Sequence, residues 1–291
     1  MEASELLKKV RKIEIKTRGL SKHIFAGQYH SAFKGKGMTF SEVREYNYGD
    51  SIRDIDWNVT ARFNHPYIKI YEEERELTVI LIIDVSGSKF FGTGGQMKSD
   101  LITEIAAVLS FSAIQNNDKI GVILFSDRIE KFIPPKKGKQ HILRIIRELI
   151  DFRPQGTGTN ISEAVKYFTS VIKKRSTAFV ISDFIDEGFE DALRIANRKH
   201  DVIAMEIFDQ REGVMPNAGL IKFRDAESGK SVWIDTSRKS TRRKYADHWA
   251  AKKNKLAETF NKSGIDSISL CTDEDYVRPL INLFKKRDSR N

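Results

Sequence analysis

Oxygen donors gather at three places in this 291-residue chain. An apolar run at 77–84 (LTVILIID) ends in Asp84-Val85-Ser86-Gly87-Ser88. A second run at 177–182 (TAFVIS) ends in Ser182-Asp183, and between them a GTGTN loop at 156–160 presents Thr159 at a helix start. Two carboxylates and three hydroxyls form a hard, oxygen-only set, which suits Mg2+ or Mn2+ and disfavours Zn2+ or copper. Mg2+ wants six oxygens and gives up water reluctantly, so Ser86, Ser88 and Thr159 with Asp84 and Asp183 would leave one position open. The two carboxylates together neutralise a divalent ion, and a partner's carboxylate could then complete the shell. The alternative is that Ser86 and Ser88 cap a turn while Asp84 accepts backbone N–H groups. The expected site has no free His, Glu or Lys positioned as a general base, so binding is expected, not turnover. A metal-dependent hydrolase remains the rival from enzyme chemistry.

Three such loops can meet only if strands and helices alternate. The run at 77–84 is short, continuously apolar and rich in β-branched residues, as a buried parallel strand is. Met97, Leu101, Ile105, Val108 and Leu109 recur at helical spacing and predict an amphipathic helix over 96–115. Further strands are expected at 118–125, 177–182, 201–208 and 265–271, with helices at 142–150, 161–172, 190–199, 239–262 and 276–286. Strands separated by helices imply right-handed crossovers and a doubly wound, mostly parallel α/β sheet. In such a sheet ligands sit beyond the carboxyl ends of the strands, near the topological switch point. Segments 220–225 and 231–235 flank AESGK and predict a β-hairpin inserted at about 214–238. Residues 1–76 break the rhythm and are read as an N-terminal subdomain packed on the 77–291 domain.

Composition closes off several classes. Hydrophobic residues make up 40% of the chain, charged residues 31%, and there are only 6 prolines, so a folded globular protein is expected, not a disordered one. No run approaches the ~18 apolar residues of a membrane span. The N-terminus is charged throughout and does not read as a secretory signal. A single cysteine, Cys271, excludes an internal disulfide framework or a multi-cysteine cluster and points to a reducing cytoplasm. The net charge of +10 is concentrated in two blocks, 1–36 and 221–260, each +6. They read either as solvated helix faces or as surfaces for an acidic protein, anionic lipid or nucleic acid. No nucleic-acid-binding motif accompanies them, which disfavours nucleic acid. The chain lacks G-x-x-x-x-G-K-[ST], and Ser86-Gly-Ser-Lys89 fits S-x-x-K without the K-T-G or S-D-N that should follow.

Asp84, Ser86 and Ser88 resemble the D-x-S-x-S motif of the metal-ion-dependent adhesion site in von Willebrand factor A-like domains. Thr159 and Asp183 match that motif's separate Thr and Asp in the expected order. The segment GQYHSAFKGKGMTFSEVREYNYGDSIRDIDWNVTARFNHPYIKIYEEERE resembles the signature of the family called domain of unknown function 58. Its carrying residues are Gly35, Gly37, Phe40, Arg44, Tyr46, Gly49, Asp50, Arg53, Asp56, Trp57, Ala61, Arg62 and Glu73. Together the resemblances cover about 27–208. Many family members begin with membrane-spanning helices, so this chain resembles a short soluble form. The family implies a bacterial protein working beside MoxR-type AAA+ ATPases in chaperone-like or maturation roles. Within the signature, Arg44, Asp50, Arg53, Asp56 and Arg62 with Trp57 read either as a salt-bridge network under an aromatic lid, clamping the subdomain, or as a partner-docking face.

Overall fold

The computed structural model describes residues 13, 39–72, 77–87, 97–224 and 231–289. Gly35, Gly37, Glu73 and Ser88 lie outside the described residues, and of Phe40 only the backbone is described. The described residues fall into two compact units, one within 34–77 and the other from Thr78 onward.

In the first unit β1 (Thr39–Glu45) pairs antiparallel with β2 (Tyr67–Glu72), with an irregularity between Phe40 and Glu42. A 3-10 turn (Ile52–Asp54) and the short helix α1 (Trp57–Phe63) connect them. Gly49 sits at φ +107°, a backbone region that L side chains rarely enter, which explains a glycine at this turn. Asp56 caps α1 by accepting from the amides of Asn58 and Val59.

The second unit is built on a six-stranded sheet of order β10-β7-β6-β3-β4-β5. Its strands are β3 (Thr78–Asp84), β4 (Lys119–Phe125), β5 (Ile129–Lys136), β6 (Thr177–Ser182), β7 (Asp201–Phe208) and β10 (Asp266–Cys271). All neighbours run parallel except β4 and β5. The intervening helices are α2 (Lys98–Gln115), α3 (Lys139–Asp151), α4 (Ile161–Val171), α5 (Glu190–Lys199), α6 (Lys239–Lys262) and α7 (Val277–Asp288). The expected mostly parallel α/β sheet is therefore present. A separate hairpin, β8 (Leu220–Arg224) with β9 (Ser231–Asp235), lies between β7 and α6.

Alternation along β3 divides two cores. Ile80 and Ile82 face α4, α5, Phe260 and Ile265, which leaves Val79, Leu81 and Ile83 on the opposite face. Leu101, Ile105, Val108 and Leu109 of α2 are fully buried, and α2 packs on α3.

Two expectations need correction. The sequence pattern predicts no strand at 129–136, yet β5 forms there as the antiparallel edge of the sheet. Pro134 and Pro135 mask it, but an edge strand tolerates proline because one of its sides needs no partners. The helix over 96–115 is amphipathic by pattern but buried over most of its surface. Two of its hydroxyls fold back on their own helix, Thr103 onto the Ser99 carbonyl (2.7 Å) and Ser110 onto that of Ala106 (2.6 Å). These two polar residues mark an exposed face by type and are instead satisfied internally, whereas the buried Ser112 hydroxyl has no hydrogen-bond partner among the described residues.

Candidate metal centre at the carboxyl edge

Chain order reverses between β3 and β6. From β3 the chain runs outward to β4 and β5 on one side, and to β6, β7 and β10 on the other. Strand register aligns Ile83 with Ile181, so Asp84 and Ser182 stand side by side at this switch point. Ser182 Oγ donates to Asp84 Oδ2 at 2.7 Å, and the Ser86 amide donates to Oδ1 at 2.9 Å. Thr159 Oγ1 reaches Asp84 Oδ2 at 3.5 Å. Asp84, Ser86, Thr159 and Asp183 thus converge from loops far apart in sequence, and Ser88 lies outside the described residues.

The loop bearing Thr159 is held by Glu130. Its Oε1 accepts from the amides of Gln155 (3.0 Å) and Gly156 (2.7 Å) and from Ser126 Oγ (2.7 Å). A Cβ at position 156 would lie 1.8 Å from Asp127 Oδ1 and 2.3 Å from Ser126 Oγ, so only glycine fits this approach. Asn160 caps α4 through the Glu163 amide, and Asp186 accepts from the Ile161 amide at 2.8 Å.

Burial and the neighbouring Asp183 push the Asp84 carboxyl up to about 6, against the pull of its hydrogen bonds from Ser182 and Ser86. A buried carboxyl made costly to ionise by burial and a neighbouring carboxylate is what a divalent cation relieves. The donor chemistry therefore fits Mg2+ or Mn2+ held by Asp84, Ser86, Thr159 and Asp183. Among the described residues no group of three or more His, Cys, Asp or Glu side chains gathers as a metal site.

Sequence reasoning missed a cation already present. Lys98, the first residue of α2, has a side chain only 2% exposed. Its Nζ lies 3.1 Å from Asp183 Oδ2 and pairs also with Glu212. The lysine stays charged, because Asp183 and Glu212 outweigh its desolvation and raise its pKa. Nothing in the sequence distinguishes Lys98 from its neighbours, and Glu212 lies in a 3-10 turn (Gln210–Gly213) far along the chain. Beside Asp183 a groove of about 420 Å3 opens between the 184–190 loop and α6, lined by Phe184, Glu187, His248, Lys252 and Leu256 among others.

The signature residues of the first unit are divided. Arg44 binds Asp50 through both guanidinium nitrogens at 2.9 and 2.8 Å. That guanidinium and the Asn47 amide hold the Asp50 carboxyl below its usual range. Burial raises Asp56, but the Val59 and Asn58 amides and Lys69 outweigh it and keep that carboxyl low. Arg53 and Arg62 are exposed and make no ion pair among the described residues, and Trp57 is 67% exposed.

A profile of the family described as "Protein of unknown function DUF58" matches residues 42–255. Uncharacterized protein Rv1480 of Mycobacterium tuberculosis is 28% identical over 283 residues, covering 96% of this chain and 88% of that protein. Uncharacterized protein MAV169 of Mycobacterium avium is 25% identical over 160 residues, 53% of this chain and 93% of its own. Among solved structures, an aerotolerance-related membrane protein from Bacteroides fragilis superposes with a TM-score of 0.50 at 15% identity, covering 74% of this chain and all of that one. The SpRpn10 VWA domain is a looser neighbour, with a TM-score of 0.38 at 10% identity over 72% of this chain and 95% of that one. The likeness to the Bacteroides fragilis protein bears on the fold alone. The chain belongs to the DUF58 family.

Proposed function

We propose that this family member is a protein-binding adaptor whose Asp84, Ser86, Ser88, Thr159 and Asp183 hold Mg2+ or Mn2+. The bound ion would supply a Lewis-acidic position for an acidic side chain of a partner. The partner is a MoxR-type AAA+ ATPase or its client, engaged in a chaperone-like or maturation role in the cytoplasm. The observation that carries this is the meeting of Asp84 with Thr159 and Ser86 at the switch point, where Asp183 makes Asp84 costly to ionise. A binding role, not turnover, is supported by the neighbouring groups: Lys98 is held by two carboxylates, and Asp84 accepts hydrogen bonds on both oxygens. The single cysteine supports a reducing compartment, and no helix among the described residues is long and apolar enough to cross a membrane.

The test is a tagged pull-down from native lysate with Mg2+ or EDTA, using wild type and Thr159→Ala. An AAA+ ATPase retained only by wild type with Mg2+ is expected. Equal capture in EDTA would overturn the metal bridge.

A second reading draws on α6. Of its 24 residues only Phe260 is buried, and it carries eight Lys/Arg against two Asp/Glu. A face this basic and this little covered suits an anionic surface. Binding to anionic lipid or nucleic acid with log K falling linearly in log salt would support that reading.

A further inference from the structure

We propose that Lys98 is an internal counter-cation for the carboxyl edge, one that holds Asp183 in the cation-free protein and withdraws onto Glu212 when Asp183 turns to a divalent ion. This rests on the cation reading above and adds to it what must move before an ion can bind.

The asymmetry between the two carboxylates carries the inference. Glu212 is fixed whether or not Lys98 touches it. Its Oε2 accepts from the Asp209 amide at 3.1 Å, closing a capping box over the 3-10 turn, and its carbonyl accepts from Tyr245 Oη at 2.7 Å. Asp209 is itself buried and anchored, accepting from the Arg211 amide at 2.9 Å and from Thr272 Oγ1 at 2.8 Å. Gly213 leaves room for Trp249, whose ring a Cβ there would approach to 2.7 Å. The turn is a built receptor for an ammonium group.

Asp183 is held differently. Its Oδ1 accepts one longer bond, 3.2 Å from the Ile185 amide, and its Oδ2 is given to Lys98. It begins a loop whose next residue, Phe184, sits at φ +52°. Turning Oδ2 away from Lys98 breaks one ion pair and leaves the other intact.

Charge balance favours this exchange. A buried ammonium cannot be left without a carboxylate, since an unpaired charge in the interior is strongly unfavourable. Lys98 with Glu212 is a neutral pair. Asp84 and Asp183 then remain as the two negative charges that offset one divalent ion. A lysine placed only to brace the fold would need one of these partners, and the second it takes is the Asp of the metal motif.

The experiment has two arms. In the first, Mn2+ binding is followed by electron paramagnetic resonance in wild type, Lys98→Met, Lys98→Arg and Lys98→Met/Asp84→Ala. Lys98→Met is expected to bind Mn2+ at least ~10-fold more tightly, Lys98→Arg to stay near wild type, and the double variant to lose the site. In the second, the side-chain ammonium resonance of Lys98 in the wild-type protein is followed by 15N-detected NMR as Mg2+ is added. It is expected to shift along the same saturation curve as the amides of Ser86, Thr159 and Asp183. If those amides saturate while the Lys98 signal stays put, or if Lys98→Met binds Mn2+ no more tightly, Lys98 is a structural brace and the proposal is overturned while the metal site stands. If neither wild type nor Lys98→Met binds an ion, the metal reading fails and takes this proposal with it. Should Lys98→Met not fold, the wild-type titration decides alone.

Discussion

Two ion-pair networks, one in each compact unit, use the same chemistry to opposite ends. In the first unit Arg44 grips Asp50 and Lys69 approaches Asp56 at 3.6 Å, with the basic side chains 39% and 35% exposed. In the second, Lys98 meets Asp183 and Glu212 with side chains 2%, 4% and 12% exposed. The exposed pairs are local in sequence, and their carboxylates also cap turns and α1. They shape a short segment and contribute little by charge, because water screens them. The buried network joins residues up to 114 positions apart, at a depth where each ion forfeits its hydration. Charge put there at such a cost is expected where a site needs it, and it borders the carboxyl edge at which we propose a divalent ion.

Truncation gives the widest separation between them. Lys98→Ala should cost about 3–5 kcal/mol in urea unfolding, since two buried carboxylates lose their counter-charge. A cost under about 1 kcal/mol would mean water reaches the network, and the contrast with the first unit would collapse.

A buried group with no ion pair provides the next test. His200 is 1% exposed, meets the Phe168 ring in a tilted contact with centroids 4.4 Å apart and shares a hydrogen bond of 3.1 Å with Ser176, and burial pushes its pKa down to about 4. The unfolded chain takes up this proton near pH 6.5 and the folded one only near 4. Its stabilising contribution is therefore complete above about pH 6.5 and falls away as pH drops towards 4, by at most about 3 kcal/mol. His200→Gln should flatten that limb of the pH–stability curve. An unchanged limb would assign acid sensitivity to other groups.

At the cation site, Thr159→Ala should weaken Mn2+ binding by about tenfold without changing the unfolding midpoint, as for other supporting groups of metal sites. A shift in the midpoint with no change in Mn2+ binding would make Thr159 a loop brace.

The smallest effect belongs to the first unit. Arg44→Ala should leave Tm within about 2 °C of wild type. A larger fall would mean that the Arg44–Asp50 pair does more than order its turn.

The backbone of the site is legible in the sequence because it follows from periodicity. A β-branched run ending in Asp84 and another ending in Ser182-Asp183 place carboxylates at strand ends, and the helices between them force the chain reversal that sets those ends side by side. β5 is hidden because Pro134 and Pro135 read as breakers, although an edge strand can hold them. The burial of α2 is hidden because Thr103 and Ser110 look solvent-facing while bonding back to their own helix. Lys98 and Glu212 carry no local signal at all: a lysine at a helix start and a glutamate in a turn are ordinary until the fold brings them together. Trp57 stands out in the sequence as an aromatic among charges, and in the fold it is largely exposed.

The most direct measurement is the NMR spectrum of the wild-type protein with trace Mn2+, whose unpaired electrons broaden nearby amides. Broadening that begins at residues 84–87, 157–160 and 183–185, and disappears in Asp84→Ala, is expected if the carboxyl edge holds a cation. Broadening confined to surface carboxylates, or surviving unchanged in Asp84→Ala, would contradict it.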